Sequence, residues 1–263
     1  MPSRRNVLKL LAAIGVLAGL SNLPGKVYAA SGNADEDAAS ASGKQFHMPD
    51  EAAPQAQVWV AFAASADIWG RDYKEVQATI GRLVQAMTPY TKVSVLCREE
   101  EEALARKLCG EQNTRFIVAE LDDIWLRDTG GVFVQNGEGE LGLVDFNFNG
   151  WGDKQEHEQD AGVAELVSKQ ADTHYLQSKL TGEGGGIEVD GNGTAIMTES
   201  CWLNSNRNPG VSKGQLEAEL KANLGLRKII WLPGIKGKDI TDAHVDFYAR
   251  FVRPGVVVVN LDN

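Results

Sequence analysis

The chain has 263 residues, 43% of them hydrophobic, and a formal net charge of −10. This length and apolar content allow a buried core for one domain, or at most two. An acidic surface repels nucleic acid and anionic membranes and attracts cationic small molecules, although solubility alone also accounts for most of the acids. The three cysteines have neither disulfide-like nor zinc-like spacing, so the sequence predicts neither feature.

Residues 1–30 have the pattern of a secretory signal. Arg4 and Arg5 precede an apolar run over 10–20, and the segment ends in a small-residue pattern that predicts a twin-arginine leader. A membrane anchor is the alternative, but it needs about 20 apolar residues. We therefore expect export to the periplasm or secretion. Loss of four basic residues and no acid lowers the net charge of the remaining chain from −10 to −14.

The next segment, 31–45, is small and polar, which predicts a disordered linker ahead of a domain over 46–263. That domain begins with a strand over 57–63 and an amphipathic helix over 73–87. The order helix, apolar strand, acidic loop and hairpin then follows three times. The predicted helices are 99–108, 157–170 and 212–224; the strands are 116–121, 174–179 and 228–232; the hairpins are 132–135 with 141–148, a turn at 190–193, and 244–252 with 256–260.

A repeat of about 60 residues favours radial or stacked repetition over a doubly wound sheet. Equivalent loops then meet at one end of a common axis. Asp128, Glu183 and His244 follow one another at steps of 55 and 61 residues, and Asp246 lies two residues beyond the histidine. The repeat therefore predicts that three carboxylates and one imidazole converge on a site for a cation.

Each of these positions has a chemical interpretation and a plain structural alternative. Asp128 follows Trp125 at a spacing that suits a flat cation, or it caps a helix beside a core tryptophan. Glu183 precedes three glycines, which allow close approach of a ligand or form a plain turn.

His244 and Asp246 share one face if they lie on a strand, where they suit a general base beside a cation anchor. A metal site that includes Asp239 and Asp242 as oxygen ligands is one alternative, and a solvated structural cluster is another.

Several strings give the chain a specific resemblance over roughly residues 47–263. They are DIWLRDTG from 123, FNGWG from 148, EGG from 183, VDG from 189, TESCWLN from 198, NRNP from 206 and DAHVD from 242. In this order they resemble the agmatine deiminase and Porphyromonas-type peptidyl-arginine deiminase family. Small departures are Gly131 for a usual proline and Ala243 for a usual glycine.

The resemblance implies an α/β fold of pentein type, a propeller of ββαβ modules around a central acidic tunnel. It also implies that Asp128 and Asp246 hold a substrate guanidinium, that His244 is the general acid and base, that Glu183 orients it, and that Trp125 lines the tunnel. The implied enzyme is a hydrolase of C–N bonds in linear amidines, without cofactor or metal. Agmatine, converted to N-carbamoylputrescine and ammonia, is the expected substrate.

The family's nucleophile is a cysteine beyond the His-x-Asp pair, and Cys201 matches a different family position. We therefore expect the domain to be incomplete at its C-terminus and this chain to be inactive. Peptidyl-arginine deimination, or binding of guanidino ligands without hydrolysis, are the alternatives. Neither nucleic acid nor, after signal cleavage, a membrane is expected as a partner. The oligomeric state is left open, a homo-oligomer included.

Overall fold

The computed structural model describes residues 27–29 and 44–260, and the chain forms two compact units. The smaller unit comprises Ala53–Leu126 and Glu156–Val163, and the other described residues form the larger unit. The predicted signal and linker lie outside the described residues except for 27–29 and 44–45, so export stays a prediction. Across the described ranges, the helices are too short or too polar to cross a bilayer.

The smaller unit is built on a parallel sheet. Its strands are β2 Gln57–Phe62, β3 Lys92–Cys97 and β4 Thr114–Val118, adjacent in that order and all parallel. Parallel strands need crossover connections, and helices provide them here. The helices are α1 Ala66–Trp69, α2 Tyr73–Met87 and α3 Glu102–Cys109. The predicted helix over 73–87 is confirmed residue for residue, and the strand over 57–63 ends one residue early.

The described residues of the larger unit form three sheets of three strands. In two of them a hairpin pairs antiparallel, and a third strand joins it in parallel after a crossover helix. The first has β5 Val132–Gln135, β6 Leu141–Asp145, α6 Val163–Ala171 and β7 His174–Gln177; the second has β8 Glu188–Val189, β9 Thr194–Thr198, α8 Lys213–Leu224 and β10 Lys228–Leu232. The third contains the hairpin β11 Ala249–Arg253 and β12 Val256–Val259, with β1 Val27–Ala29 antiparallel to β12. Short helices are α4 Leu126–Thr129, α5 Gly150–Asp153 and α7 Glu199–Trp202.

The sheets correct the grouping of the predicted repeat. Strand β7 pairs with the hairpin that precedes its helix, and β10 does the same. The sequence predicts a unit of helix, strand, loop and hairpin, but the folded unit is hairpin, helix and strand. The physical reason is the crossover helix. It returns the chain so that the next strand pairs in parallel with the second strand of the preceding hairpin.

One predicted strand is wrong at its start, and the error falls on the candidate site. His244 precedes a 3₁₀ turn over Val245–Phe247, and β11 begins only at Ala249. Asp242 and Ala243 have φ of 60° and 71°, a left-handed conformation that reverses the chain directly before the histidine. The alternation of side chains along a strand therefore does not explain how His244 and Asp246 come together.

Helix α8 anchors the main core of the larger unit. Ser212 caps it through a reciprocal pair of bonds with Gln215, and its leucines face the hydrophobic core. Leu216 and Leu220 are fully buried, and Trp202 packs in the same cluster. The helix thereby fixes the sheet β8–β10 from which the next hairpin leaves.

We expect Leu220→Ala to lower the free energy of unfolding by about 3 kcal/mol, since it removes buried methyl groups and leaves a cavity. Urea denaturation followed by circular dichroism measures this change. Ala218→Ser, at an exposed position of the same helix, is the matched control and should stay within about 0.5 kcal/mol. Equal effects of the two substitutions would contradict the assignment of Leu220 to the core.

Candidate active site

Three charged side chains of the larger unit surround Gly185. A Cβ atom at this position would lie 2.5 Å from Nδ1 of His244, 2.8 Å from Oδ1 of Asp128 and 3.0 Å from Oδ2 of Asp246. Asp128 lies in a short helix and Gly185 in a glycine turn. His244 precedes a 3₁₀ turn that contains Asp246, and the three segments are distant in sequence. The structure therefore brings together three of the side chains that the sequence singled out, and only a residue without a side chain fits between them.

His244 and Glu183 form a buried pair. The imidazole is 2% exposed, the carboxylate is 0% exposed, and Nε2 lies 3.0 Å from Oε2. Glu183 stands in extended conformation before the 3₁₀ turn Gly184–Gly186, which turns its side chain inward to the histidine. Sequence and structure agree on this pair, although the sequence alone did not indicate how deeply it is buried.

Both partners are held in their charged forms. Burial by itself raises the pKa of Glu183, but hydrogen bonding to His244 and the charge of Arg207 outweigh it, so that pKa is lowered. Burial by itself lowers the pKa of His244, but the Asp128 carboxylate and the hydrogen bonds to Cys201 and Glu183 hold that pKa well above its usual value. These interactions favour the imidazolium form of His244, in which Nε2 donates its N–H to Glu183.

Asp128 is fixed by two donors. The backbone N–H of Gly185 donates to Oδ1 at 2.9 Å, and Nε1 of Trp151 donates to Oδ2 at 3.0 Å. Nδ1 of His244 lies 3.8 Å from Oδ1. Asp128 is thus a positioned acceptor next to the free face of the imidazolium, rather than the helix cap that the sequence also allowed.

Asp246 differs from Asp128 in that one of its oxygens is unsatisfied. Oδ1 is buried and has no hydrogen-bond partner within the described part of the chain. Burial and the nearby Asp128 raise the pKa of Asp246 to about 6, against the opposing effect of His244. A buried carboxylate oxygen without a donor costs free energy, and a ligand with N–H groups and a positive charge would remove that cost.

The sequence interpretation missed a cation behind this pair. Arg207 has a fully buried side chain, and its Nε donates to Glu183 at 2.7 Å to Oε1 and 3.0 Å to Oε2. Its Nη1 donates to Asp242 at 2.9 Å, and Asp242 also accepts from Lys154 at 2.6 Å. The NRNP string contributes to the family resemblance, and nothing local to it signals a bond to a residue 24 positions earlier.

The metal alternative is not supported by the positions of the acids. Oδ1 of Asp239 accepts from the backbone of Thr241 and Ala243, and Asp242 is bound by two cationic side chains. Within the described ranges, Glu183, Cys201 and His244 bring their donor atoms within 4.8 Å of one another. Because Arg207 already binds both oxygens of Glu183, a metal ion there would face a guanidinium at contact distance.

The three cysteines are unsuited to nucleophilic attack. All are buried, and burial raises the pKa of Cys97 to about 11 and that of Cys109 to about 12. Cys201 lies 3.6 Å from Oε2 of Glu183, and burial together with that carboxylate raises its pKa as well. Since the thiolate is the reactive form, none of these thiols is prepared to attack a substrate.

Trp125 belongs to the smaller unit, and its role in a tunnel stays a prediction. Its Nε1 donates to Oδ2 of Asp123 at 2.7 Å, and Nε1 of Trp69 donates to Oδ1 of the same carboxylate at 2.7 Å. The two indoles stack with ring centres 5.8 Å apart. One buried carboxylate therefore holds two partly exposed aromatic rings in a fixed orientation.

Known proteins share both sequence and fold with the chain. Residues 47–263 match the Porphyromonas-type peptidyl-arginine deiminase family. An agmatine deiminase from Pseudomonas putida is 40% identical over 223 residues, covering 81% of this chain and 60% of that protein. The agmatine deiminase of Medicago truncatula is 38% identical over 229 residues, covering 82% of this chain and 61% of that protein.

Solved structures agree with these matches. An agmatine deiminase of Enterococcus faecalis superposes with a TM-score of 0.76 at 31% identity, over 80% of this chain and 59% of that one. A putative arginine deiminase from Porphyromonas gingivalis gives 0.71 at 28% identity, over 80% of this chain and 63% of that one.

The matches in sequence and fold thus place the chain among α/β proteins of a deiminase family. The chain belongs to the Porphyromonas-type peptidyl-arginine deiminase family. It spans about 60% of the length of the agmatine deiminases that it matches.

Proposed function

We propose that this chain provides the guanidinium-binding and proton-transfer part of an enzyme that hydrolyses agmatine to N-carbamoylputrescine and ammonia. The observation that carries the proposal is the buried Oδ1 of Asp246 beside Asp128, which has no hydrogen-bond partner among the described residues. Two carboxylates suit a planar guanidinium, which offers paired N–H donors and a delocalised charge. The names of the relatives support agmatine as the substrate.

In this proposal a thiolate attacks the guanidinium carbon and forms a tetrahedral adduct. His244, as the imidazolium, gives a proton to the leaving nitrogen, which departs as ammonia. Water then attacks the remaining carbon, and His244 takes one proton from it. The C–S bond breaks as the second proton of that oxygen passes to solvent, which releases the ureido product and the thiolate. Asp128 and Asp246 balance the positive charge throughout.

The nitrogen of His244 that works in this scheme is Nδ1. Nε2 is occupied by Glu183, whereas Nδ1 lies on the side of Gly185 and Asp128. The thiolate is a group other than Cys97, Cys109 and Cys201, because all three thiols are buried and have raised pKa values.

The architecture we propose for the domain that contains this site is a propeller of ββαβ modules around an acidic tunnel.

Calorimetry and an ammonia assay on residues 1–263 test the proposal. We expect agmatine to bind, putrescine to bind at least about tenfold more weakly because it lacks the guanidinium, and no ammonia to be released. Equal affinity for the two amines would refute the guanidinium site. Ammonia release would refute the exclusion of the three buried cysteines.

Peptidyl-arginine is the second candidate substrate, since the matching family carries that name. The blocked arginine N-acetyl-arginine amide distinguishes the two candidates in the same titration. Tighter binding of agmatine supports the first candidate, and tighter binding of the blocked arginine supports the second.

A further inference from the structure

We propose that Arg207 is a positioning residue for His244, acting through both Glu183 and the turn that carries the histidine. This inference rests on the proposed role of His244 and deepens it. The three atoms nearest to a Cβ at Gly185 belong to His244, Asp128 and Asp246, and none of them belongs to Arg207. It acts through Glu183, which contacts the histidine, and its own side chain is completely buried.

The first link runs to the carboxylate that faces the imidazole. Nε of Arg207 donates to both oxygens of Glu183, at 2.7 and 3.0 Å, and Oε2 of that carboxylate also meets Nε2 of His244 at 3.0 Å. The guanidinium therefore fixes the rotation of the carboxylate, and the carboxylate fixes the ring. Only one of the two ring nitrogens remains available on the substrate side.

The second link runs to the turn before the histidine. Nη2 of Arg207 donates to the backbone carbonyl of Thr241 at 3.0 Å, and Nη1 donates to Asp242 at 2.9 Å. Asp242 and Ala243 are the two residues in left-handed conformation that direct the chain into His244. One rigid guanidinium thus spans the carboxylate that faces the imidazole and the turn that precedes the histidine, a geometry that a lysine ammonium cannot reproduce.

Charge gives the same residue a second effect. Glu183 is fully buried and would be costly to ionise without a cation at its oxygens. Arg207 and His244 are the cations that contact it among the described residues. Loss of Arg207 should therefore favour a protonated Glu183, which can no longer fix the Nε2 proton of His244.

Lys154 offers a matched control for the loss of a positive charge at Asp242. Lys154 donates to Asp242 at 2.6 Å, as Arg207 does, but the bonds of its Nζ go to Asp242 and to the carbonyl of Ile240 and not to Glu183. Lys154→Met thus removes a neighbouring positive charge from the same network and leaves the link to Glu183 in place. A role of Arg207 that is merely structural or generally electrostatic predicts similar results for the two substitutions.

The test is the apparent pKa of the Glu183 carboxyl in residues 1–263, followed by the ¹³C shift of labelled glutamate and assigned with Glu183→Gln. We expect Arg207→Met to raise that pKa by at least about one unit and Lys154→Met to change it by less than about half of that. Arg207→Lys should give an intermediate value, and it takes the place of Arg207→Met if the latter does not fold.

An unchanged pKa in a folded Arg207 variant would overturn the inference, and so would an equal shift in Lys154→Met. The ¹⁵N shifts of His244 supply a second readout, because Nε2 should lose its bound proton in the Arg207 variants only. Neither readout needs a substrate, so a failure of agmatine to bind refutes the proposed function and leaves this test interpretable.

Discussion

Replacement of Asp246 by asparagine is expected to weaken agmatine binding about 100-fold. The substitution keeps the shape of the side chain but removes the charge, and a charge-assisted bond at a buried site contributes about 3 kcal/mol. It also introduces an amide N–H donor beside the position of Oδ1, which has no partner among the described residues. A guanidinium offers donors only, so this amide group cannot accept a bond from it. Calorimetric titration of the variant measures the loss directly.

The pH dependence of binding should disappear with the same substitution. Because the pKa of Asp246 is raised to about 6, a cationic ligand must displace a proton from it below that pH. We expect affinity in the unsubstituted chain to fall about tenfold per unit as pH drops below 6, and to level off above it. In Asp246→Asn the affinity should be low and nearly constant across this range.

Asp153→Asn is the control for net charge. Asp153 is exposed, belongs to the same unit and has a φ of 57°, which asparagine also tolerates. Affinity and its pH dependence should stay unchanged in this variant. A 100-fold loss in both variants would indicate a diffuse effect of net charge and would remove the argument for a specific carboxylate.

Gly185→Ala is the second substitution with a large expected effect. The added methyl would stand 2.5 Å from Nδ1 of His244 and 2.8 Å from Oδ1 of Asp128, closer than carbon atoms approach such groups. It must therefore displace the groups that receive the ligand, or the N–H of residue 185 must leave Asp128. We expect agmatine binding to become undetectable, with a drop in the free energy of unfolding of about 1–3 kcal/mol.

Gly214→Ala provides the matched comparison. A Cβ at Gly214 meets no atom within 4 Å, and the residue lies in the first turn of α8. Alanine favours a helix over glycine by up to about 1 kcal/mol, so this variant should bind agmatine normally and be at least as stable. Normal binding by Gly185→Ala would show that the ligand site lies elsewhere.

Local patterns predicted much of the secondary structure because its causes are local. The helix over 73–87 follows from the spacing of its apolar residues, and the hairpin at 190–193 from its turn residues. The apolar pattern predicts that β11 starts at residue 244, whereas the strand starts at Ala249. Two non-glycine residues adopt positive φ there, held by side-chain bonds to Asp239 and Asp242 that the pattern of apolar residues does not contain.

The sequence by itself determined which chemical groups the chain offers, since acidic segments around residues 128, 183 and 246 recur at repeat spacing. The last of these segments also contains His244. It also determined family membership, which rests on ordered strings of residues. Only the tertiary structure decided that Arg207 is a counterion of Glu183 and that Nδ1 is the available nitrogen of His244. It also decided that Asp246 has an oxygen without a donor in the part of the chain that the structure describes. These facts depend on contacts between segments far apart in the chain, and such contacts form only when the core and the turns place those segments together.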